Sequence, residues 1–280
     1  MTLNQVLDEA AASIARRDAE LLLAHLLQRD RTWIITHSND PLPVEIHRQM
    51  QQLVARRAAH EPLQYILGQQ EFYGLPLRVT PDTLIPRPET EHLVEAVLGA
   101  SSRLRQPPRI VDVGTGTGAI ALALAKNLPE AKIYACDLSA AALEVAMENA
   151  ERLGLSNRVE FRQSDLLAGY ITAAADDDLF DAVVSNPPYV PAGDAAGMQP
   201  EVRDYEPHMA LFAGDDGLTI YRRLVVEART VLRPGGLLAM EIGFGQQAAL
   251  TTLLTTWRDV RFVDDYAGIP RVVLAEKPKG

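Results

Sequence analysis

Between Ile110 and Gly118 the chain reads Ile-Val-Asp-Val-Gly-Thr-Gly-Thr-Gly, an apolar β-branched run that breaks into alternating glycines and restarts at Ala119–Leu128 as a helix-forming stretch. A strand, a glycine turn and a helix in that order bring bare backbone close to whatever lies beyond the carboxyl end of the strand. The rest of the chain follows the same alternation. Short apolar runs at Lys132–Cys136, Arg158–Arg162, Phe180–Ser185, Leu237–Ile242, Arg261–Asp264 and Val272–Ala275 are predicted strands. Ala140–Leu153, Leu218–Leu232 and Gln246–Trp257 carry helical periodicity. This predicts an α/β fold with a doubly wound, mostly parallel seven-stranded sheet, whose last two strands, only a few residues apart, form an antiparallel hairpin at the edge. There is no internal repeat, and the only biased run is the Ala/Asp stretch at 173–178.

The N-terminal region has a different character. Asp18–Gln28 and Val44–His60 place Ala19, Leu22, Leu23, Leu26, Ile46, Met50, Leu53 and Val54 at helical spacing. Asp40–Pro43 supplies a turn between them, and Glu61-Pro62 ends the second helix. The pattern then changes to aromatic and β-branched residues around Gly68 and Gly74, a predicted hairpin over Tyr65–Val79. The proline-rich stretch Pro81–Pro88 follows as a connector. The organisation expected is a helical domain over residues 1–64, a hairpin and linker over 65–88, and a catalytic domain over 89–280.

Three sets of residues carry the chemistry. Gly114, Thr115, Gly116, Thr117 and Gly118 form a loop suited to a nucleotide-like cofactor. They also satisfy the dinucleotide fingerprint through Gly114, Gly116 and Ala119, and a purely structural turn would look the same. Asp137 ends the next strand, 23 residues after Gly114. A carboxylate there accepts hydrogen bonds from both hydroxyls of a ribose, whether of NAD or of S-adenosylmethionine. The alternative role is helix capping, which Ser139 fills equally well. Asp165, ending the third strand, is placed to meet an adenine amino group and would serve equally as a turn residue.

The third set decides the class of reaction. Asn186-Pro187-Pro188-Tyr189 closes the fourth strand, beside the point where a doubly wound sheet reverses direction and binds ligands. The prolines remove their own donors, so carbonyl oxygens and the Asn186 side-chain oxygen remain as acceptors. Two acceptors hold one planar NH2 group. Its nitrogen is a poor nucleophile because the lone pair is delocalised, and pinning both hydrogens aims that lone pair at a methyl donor. Such a displacement needs no metal and no strong base, because the proton leaves after the methyl arrives. Orientation alone is worth roughly 7–11 kcal/mol in favourable cases. Tyr189 offers a flat face to the planar acceptor. The catalytic candidates are therefore Asn186, Pro187 and Tyr189.

Composition narrows the alternatives. A net charge of −10, with the acidic excess beyond the N-terminal region, repels phosphate and disfavours nucleic acid as a direct partner. The single cysteine, Cys136, excludes an internal disulfide and fits a reducing cytoplasm; it reads as an inert core residue. The first twenty residues lack the basic and apolar regions of a secretory signal, and no run of 18 apolar residues would cross a membrane.

With these residues on the page, the chain resembles the class I methyltransferases, and within them the HemK/PrmC family of release factor glutamine methyltransferases. The resemblance rests on the glycine loop and Asn186–Tyr189, together with Glu61–Gly68, Phe72–Gly74 and Leu84–Glu91. It extends to Glu206-Pro207, Ala210-Leu211, Gly217-Leu218, Glu241–Gly243, Gly268 and Arg271-Val272. Within that resemblance, the stretch Leu84–Glu91 is similar to the connector characteristic of the glutamine enzymes. The resemblance implies methyl transfer from S-adenosylmethionine to the side-chain N5 of the glutamine in the Gly-Gly-Gln motif of peptide-chain release factors. It implies that Gly114–Gly118, Asp137, Leu166 and Asn186 contact the cofactor and that Asn186–Tyr189 hold the glutamine. The N-terminal helical domain would help grip the protein substrate. Leu166 stands where some relatives carry an aromatic residue, and still gives the adenine an apolar contact.

Arg87 and Glu89 read most simply as an exposed pair in the linker, and Glu201 and Glu206 as polar residues of a loop near the substrate. Arg271 reads as an ion-pair partner. Two other functions remain in view: an adenine-N6 methyltransferase acting on nucleic acid, and a non-catalytic cofactor-binding protein, which would be expected to carry a damaged glycine loop or acceptor motif.

Overall fold

The structure is a computed structural model that describes residues 1–171 and 178–279, so the Ala/Asp stretch lies almost wholly outside the described residues. The chain divides into two compact units. One comprises Met1–Gln69 with Gln199–Tyr205, and the other Gln70–Met198 with Glu206–Gly280.

The first unit is helical: α1 (Leu3–Ala10), α2 (Arg16–Leu27), α3 (Arg31–Thr36), α4 (Val44–Ala58) and α5 (Leu63–Leu67). α1 begins with a capping box in which the Thr2 hydroxyl accepts from the Gln5 amide while the Gln5 side chain accepts from the Thr2 amide. Asp30 caps α3 through the Trp33 amide at 2.7 Å. Leu3, Leu7, Leu22, Leu23, Ile34 and Met50 form the buried centre of this unit. Arg57 on α4 bridges Asp18 at 2.7 Å and Glu201 at 2.6 Å, tying the 199–205 segment to the helices. The expected hairpin starts later than Tyr65, because Pro62 opens α5 and Gly68, at φ +72°, closes it. Strands β1 (Gln69–Phe72) and β2 (Leu75–Arg78) make that hairpin, followed by α6 (Glu91–Ala100).

The second unit continues with β3 (Arg109–Val113), α7 (Ala119–Asn127), β4 (Lys132–Asp137), α8 (Ala140–Arg152), β5 (Val159–Gln163) and β6 (Phe180–Ser185). After α9 (Pro200–Tyr205), which belongs to the first unit, come α10 (Thr219–Val231), β7 (Leu232–Glu241), α11 (Gln247–Leu253), β8 (Arg258–Asp264) and β9 (Pro270–Glu276). The sheet order is β5-β4-β3-β6-β7-β9-β8, with β9 antiparallel to both its neighbours and the other pairings parallel. This is the seven-stranded, doubly wound sheet that the alternation of strands and helices predicts.

Central strands of such a sheet are buried on both faces, which explains their nearly continuous apolar runs. On β3, Ile110 packs with α6 and α7 residues such as Leu93 and Leu122, while Val111 and Val113 pack with Tyr221 and Leu224 of α10. α7 is buried from Ala119 to Ala125, so its alanines let it lie close to the sheet. β7 starts five residues before the predicted Leu237, because Pro234-Gly235-Gly236 is absorbed as an irregularity in its pairing with β6 rather than forming a separate turn. α11 ends at Leu253, leaving Trp257 to pack against the core.

Candidate active site

The site follows from strand register. Val113 of β3 pairs with Ser185 of β6, and Ser185 pairs with Met240 of β7. The next residue on each strand, Gly114, Asn186 and Glu241, therefore emerges at the same carboxyl edge. β3 and β6 flank the reversal in strand order, where the crevice between diverging connections opens. The Ser185 hydroxyl donates to the Val113 carbonyl at 2.7 Å and locks the two strand ends together.

The glycine loop divides into two roles. Gly114 (φ +72°) and Gly116 (φ +55°) line the cavity, and a Cβ on either would meet nothing within 4 Å. The space over them is open to a ligand. Thr115, Thr117 and Gly118 make contacts that hold the loop's shape. The Thr115 hydroxyl donates to buried Asp112 at 2.6 Å, and the Thr117 carbonyl accepts from the Asn149 side chain at 3.0 Å. A Cβ on Gly118 would press on Leu122 at 3.1 Å and Ala146 at 3.3 Å, so this glycine serves close helix packing. Burial pushes the Asp112 carboxyl up to about 7, against the hydrogen bonds from Thr115 and the Ala121 amide.

Asp137 ends β4, the strand paired with β3, beside the glycine loop. Its Oδ2 accepts from the Gly116 amide at 2.8 Å and its Oδ1 from the Ser139 amide at 2.9 Å. Ser139, not Asp137, caps α8. Burial raises the Asp137 pKa, and the backbone donors oppose that rise. Leu166 lines the cavity from a backbone at φ +47°. Asp165 also reaches the cavity, but its carboxylate is half-exposed and paired with Arg223 of α10 at 3.0 Å. Cys136 is buried in β4, where burial raises its thiol pKa and keeps it protonated.

At the β6 end, Asn186 and Pro188 line the cavity while Pro187 is buried. Tyr189 departs from the expectation of a flat face toward the acceptor. It is not among the cavity-lining residues; its hydroxyl points to the Glu241 carboxylate at 3.4 Å, and its carbonyl accepts from Gln246 at 3.0 Å. The Asn186 Nδ2 donates to the Thr90 hydroxyl at 3.1 Å, and that hydroxyl donates to Glu241 Oε2 at 2.6 Å. Glu241 is 2 % exposed, and burial pushes its carboxyl up to about 7.

The cavity, about 260 Å³, is completed by Asp82, Thr83 and Leu84 of the connector and by Pro207, Met209 and Ala210 after α9. Buried Glu206 joins these two walls by accepting from the Ile85 amide at 3.3 Å and pairing with Arg87. Arg87 is thus the partner of a buried carboxylate across the connector and not of Glu89 in an exposed pair. Arg271 is paired with Asp265 at 2.9 Å, as the sequence suggests. Thr90 and Glu241 are the residues around this cavity not singled out by residue-level reasoning, and Glu206, read as a polar loop residue, is instead buried. Their signal lay in the motifs Leu84–Glu91, Glu206-Pro207 and Glu241–Gly243, whose role only the folded contacts reveal.

The family models agree with this architecture. Residues 2–68 match the PrmC N-terminal domain, and residues 106–259 match a methyltransferase domain. The chain is 43% identical over 285 aligned residues to a release factor glutamine methyltransferase of Koribacter versatilis, covering 99% of each. It is 44% identical to one of Moorella thermoacetica, covering 98% of each. A methyltransferase from Pyrococcus furiosus shares the fold at a TM-score of 0.52 and 20% identity, over 82% of this chain and 98% of that one. Among the described residues no helix is long and apolar enough to cross a membrane. With a matching domain at each end and full-length relatives at this identity, the chain belongs to the family of release factor glutamine methyltransferases.

Proposed function

We propose that this protein transfers a methyl group from S-adenosylmethionine to the side-chain N5 of the glutamine in the Gly-Gly-Gln motif of peptide-chain release factors. The observation that carries this reading is the register that sets Gly114 and Asn186 side by side at the sheet's reversal, over one cavity shared with Asp137.

The residues fit the cofactor. Gly114 and Gly116 leave open space over the backbone, the Asp137 carboxylate suits a ribose, and Leu166 gives an adenine an apolar contact. Asp165, its charge balanced by Arg223, would meet the adenine amino group. Asp82 and Asp137 favour a ligand carrying positive charge. When bound, S-adenosylmethionine supplies a methyl group on a cationic sulfur.

The protein's own part is binding and aim. With Nδ2 engaged by Thr90, the Asn186 Oδ1 is left to accept from the acceptor amide. A carbonyl of the Pro187-Pro188 pair would take the second hydrogen. Tyr189 anchors the segment through Glu241 and Gln246. The amide nitrogen then faces the methyl donor, and its surplus proton leaves to solvent after transfer. The helical region over residues 1–64 would grip the release factor, with residues 65–88 linking it to the methyltransferase domain at 89–280.

The test is a competition in which labelled S-adenosylmethionine is offered with a release factor and with adenine-containing nucleic acid. Label on the release factor that disappears when its Gly-Gly-Gln glutamine is replaced by asparagine supports the proposal. Label on adenine overturns the acceptor and leaves methyl transfer standing.

A further inference from the structure

We propose that Thr90 and Glu241 are positioning residues that fix which end of the Asn186 amide faces the acceptor, a role that rests on the glutamine-methylation reading above. An asparagine amide is nearly symmetric in shape, and its two ends have opposite hydrogen-bonding character. With oxygen toward the cavity, Asn186 accepts from an incoming NH2. Reversed, it presents its own NH2 to that NH2 and repels it.

The wiring behind Asn186 removes the ambiguity. An ionised carboxylate only accepts, so Glu241 takes the single hydroxyl hydrogen of Thr90 at 2.6 Å. The Thr90 oxygen then has only lone pairs to offer, and the Asn186 atom 3.1 Å away must be the NH2. Thr90 occupies the N-cap position of α6, yet its side chain makes no capping bond. A residue type that ordinarily stabilises a helix end has its hydroxyl directed 151 positions along the chain to Glu241. Glu241 is in turn held from several directions. Tyr189 donates to its Oε1, Tyr221 of α10 donates to its carbonyl at 2.9 Å, and Met240 just before it is paired into the sheet. Arg271 on β9 favours its ionised form, whereas burial and the nearby Glu89 oppose it. Glu241 thus supplies direction to a chain of donors that ends at the reacting group.

The relay makes a pH prediction with a defined sign. Once Glu241 is protonated it can donate, Thr90 can turn its hydrogen toward Asn186, and the amide is free to reverse. Turnover should therefore fall on the acid side as Glu241 takes up its proton, and Glu241→Gln should be slow across the range and lack that limb.

The experiment compares wild type, Thr90→Val, Thr90→Ser and Glu241→Gln using a release factor as acceptor. It measures kcat, KM, S-adenosylmethionine affinity and the side-chain amide NMR signals of Asn186. Thr90→Val is expected to lower kcat by about 10–100-fold while changing cofactor affinity by less than about 2-fold, and Thr90→Ser to recover most of the loss. In wild type the Asn186 Nδ2 hydrogens should exchange slowly, and in Thr90→Val quickly. Unchanged kcat in Thr90→Val, a loss in KM alone, or no recovery in Thr90→Ser would overturn the relay. A wild type that leaves glutamine unmethylated would defeat the functional reading instead, while the exchange of the Asn186 hydrogens would still report whether the relay exists.

Discussion

At the scale of single residues, the tasks proposed for Asn186 and Asp137 are separable. Asn186 is proposed to meet the acceptor and is anchored by one hydrogen bond to Thr90, so Asn186→Ala should leave the fold and cofactor affinity intact while reducing kcat by roughly 10²–10³-fold. Asp137 accepts from the Gly116 and Ser139 amides and faces the cavity, so Asp137→Ala should weaken cofactor binding by about 10–100-fold, as read by calorimetry. The position of Asn186 on the cavity wall was legible in the sequence because it ends a predicted strand beside the point where the sheet reverses. Thr90 and Glu241 were not. Their pairing spans 151 positions, and neither side chain has a local pattern that distinguishes a relay from a helix cap or a strand terminus. Tyr189, expected to turn a flat face to the acceptor, instead directs its hydroxyl to Glu241 and does not line the cavity.

At the scale of elements, the glycine loop shows that similar residues serve different ends. Replacing any of its glycines with alanine forces a left-handed backbone that costs roughly 1–2 kcal/mol. Gly118→Ala adds a Cβ against Leu122 and Ala146, so it should lower the melting temperature more than Gly114→Ala, whose Cβ meets open space. Gly114→Ala should instead show its main effect as lost cofactor affinity. Equal melting temperatures for the two variants would contradict this division. The order of strands and helices was readable because apolar runs and helical periodicity recur in strict alternation. The exceptions have local causes. Pro62 and Gly68 enclose a short helix inside the expected hairpin, and β7 begins before the expected Leu237 because the irregular pairing with β6 takes in Pro234–Gly236.

At the scale of the whole molecule, two buried carboxyls link stability to pH. Burial pushes both Asp112 and Glu241 up to about 7, above the range of exposed carboxyls. A carboxyl whose pKa rises on folding binds its proton more tightly in the folded chain. Stability should therefore be lost as pH rises through about 7 and recovered as it falls toward the ordinary carboxyl range. Melting temperatures taken from about pH 6 to about pH 8.5 should fall for wild type and fall less for Asp112→Asn. A parallel decline would remove Asp112 as the cause. The Glu241 form that orients Asn186 is the one burial disfavours, so turnover should rise over the same interval in which stability falls. Arg87→Ala should cost about 1–3 kcal/mol, read from urea unfolding, because it removes the Arg87 cation paired with the buried Glu206 carboxylate.

The central claim, that the cluster at the ends of β3, β6 and β7 methylates a glutamine amide, is tested most directly by peptide mapping. An unmethylated release factor would be incubated with S-adenosylmethionine and either wild type or Asn186→Ala, then digested and analysed by mass spectrometry. The predicted result is one added methyl on the Gly-Gly-Gln glutamine with wild type and almost none with the variant. A methyl on any other residue, or equal modification by the variant, would contradict the account.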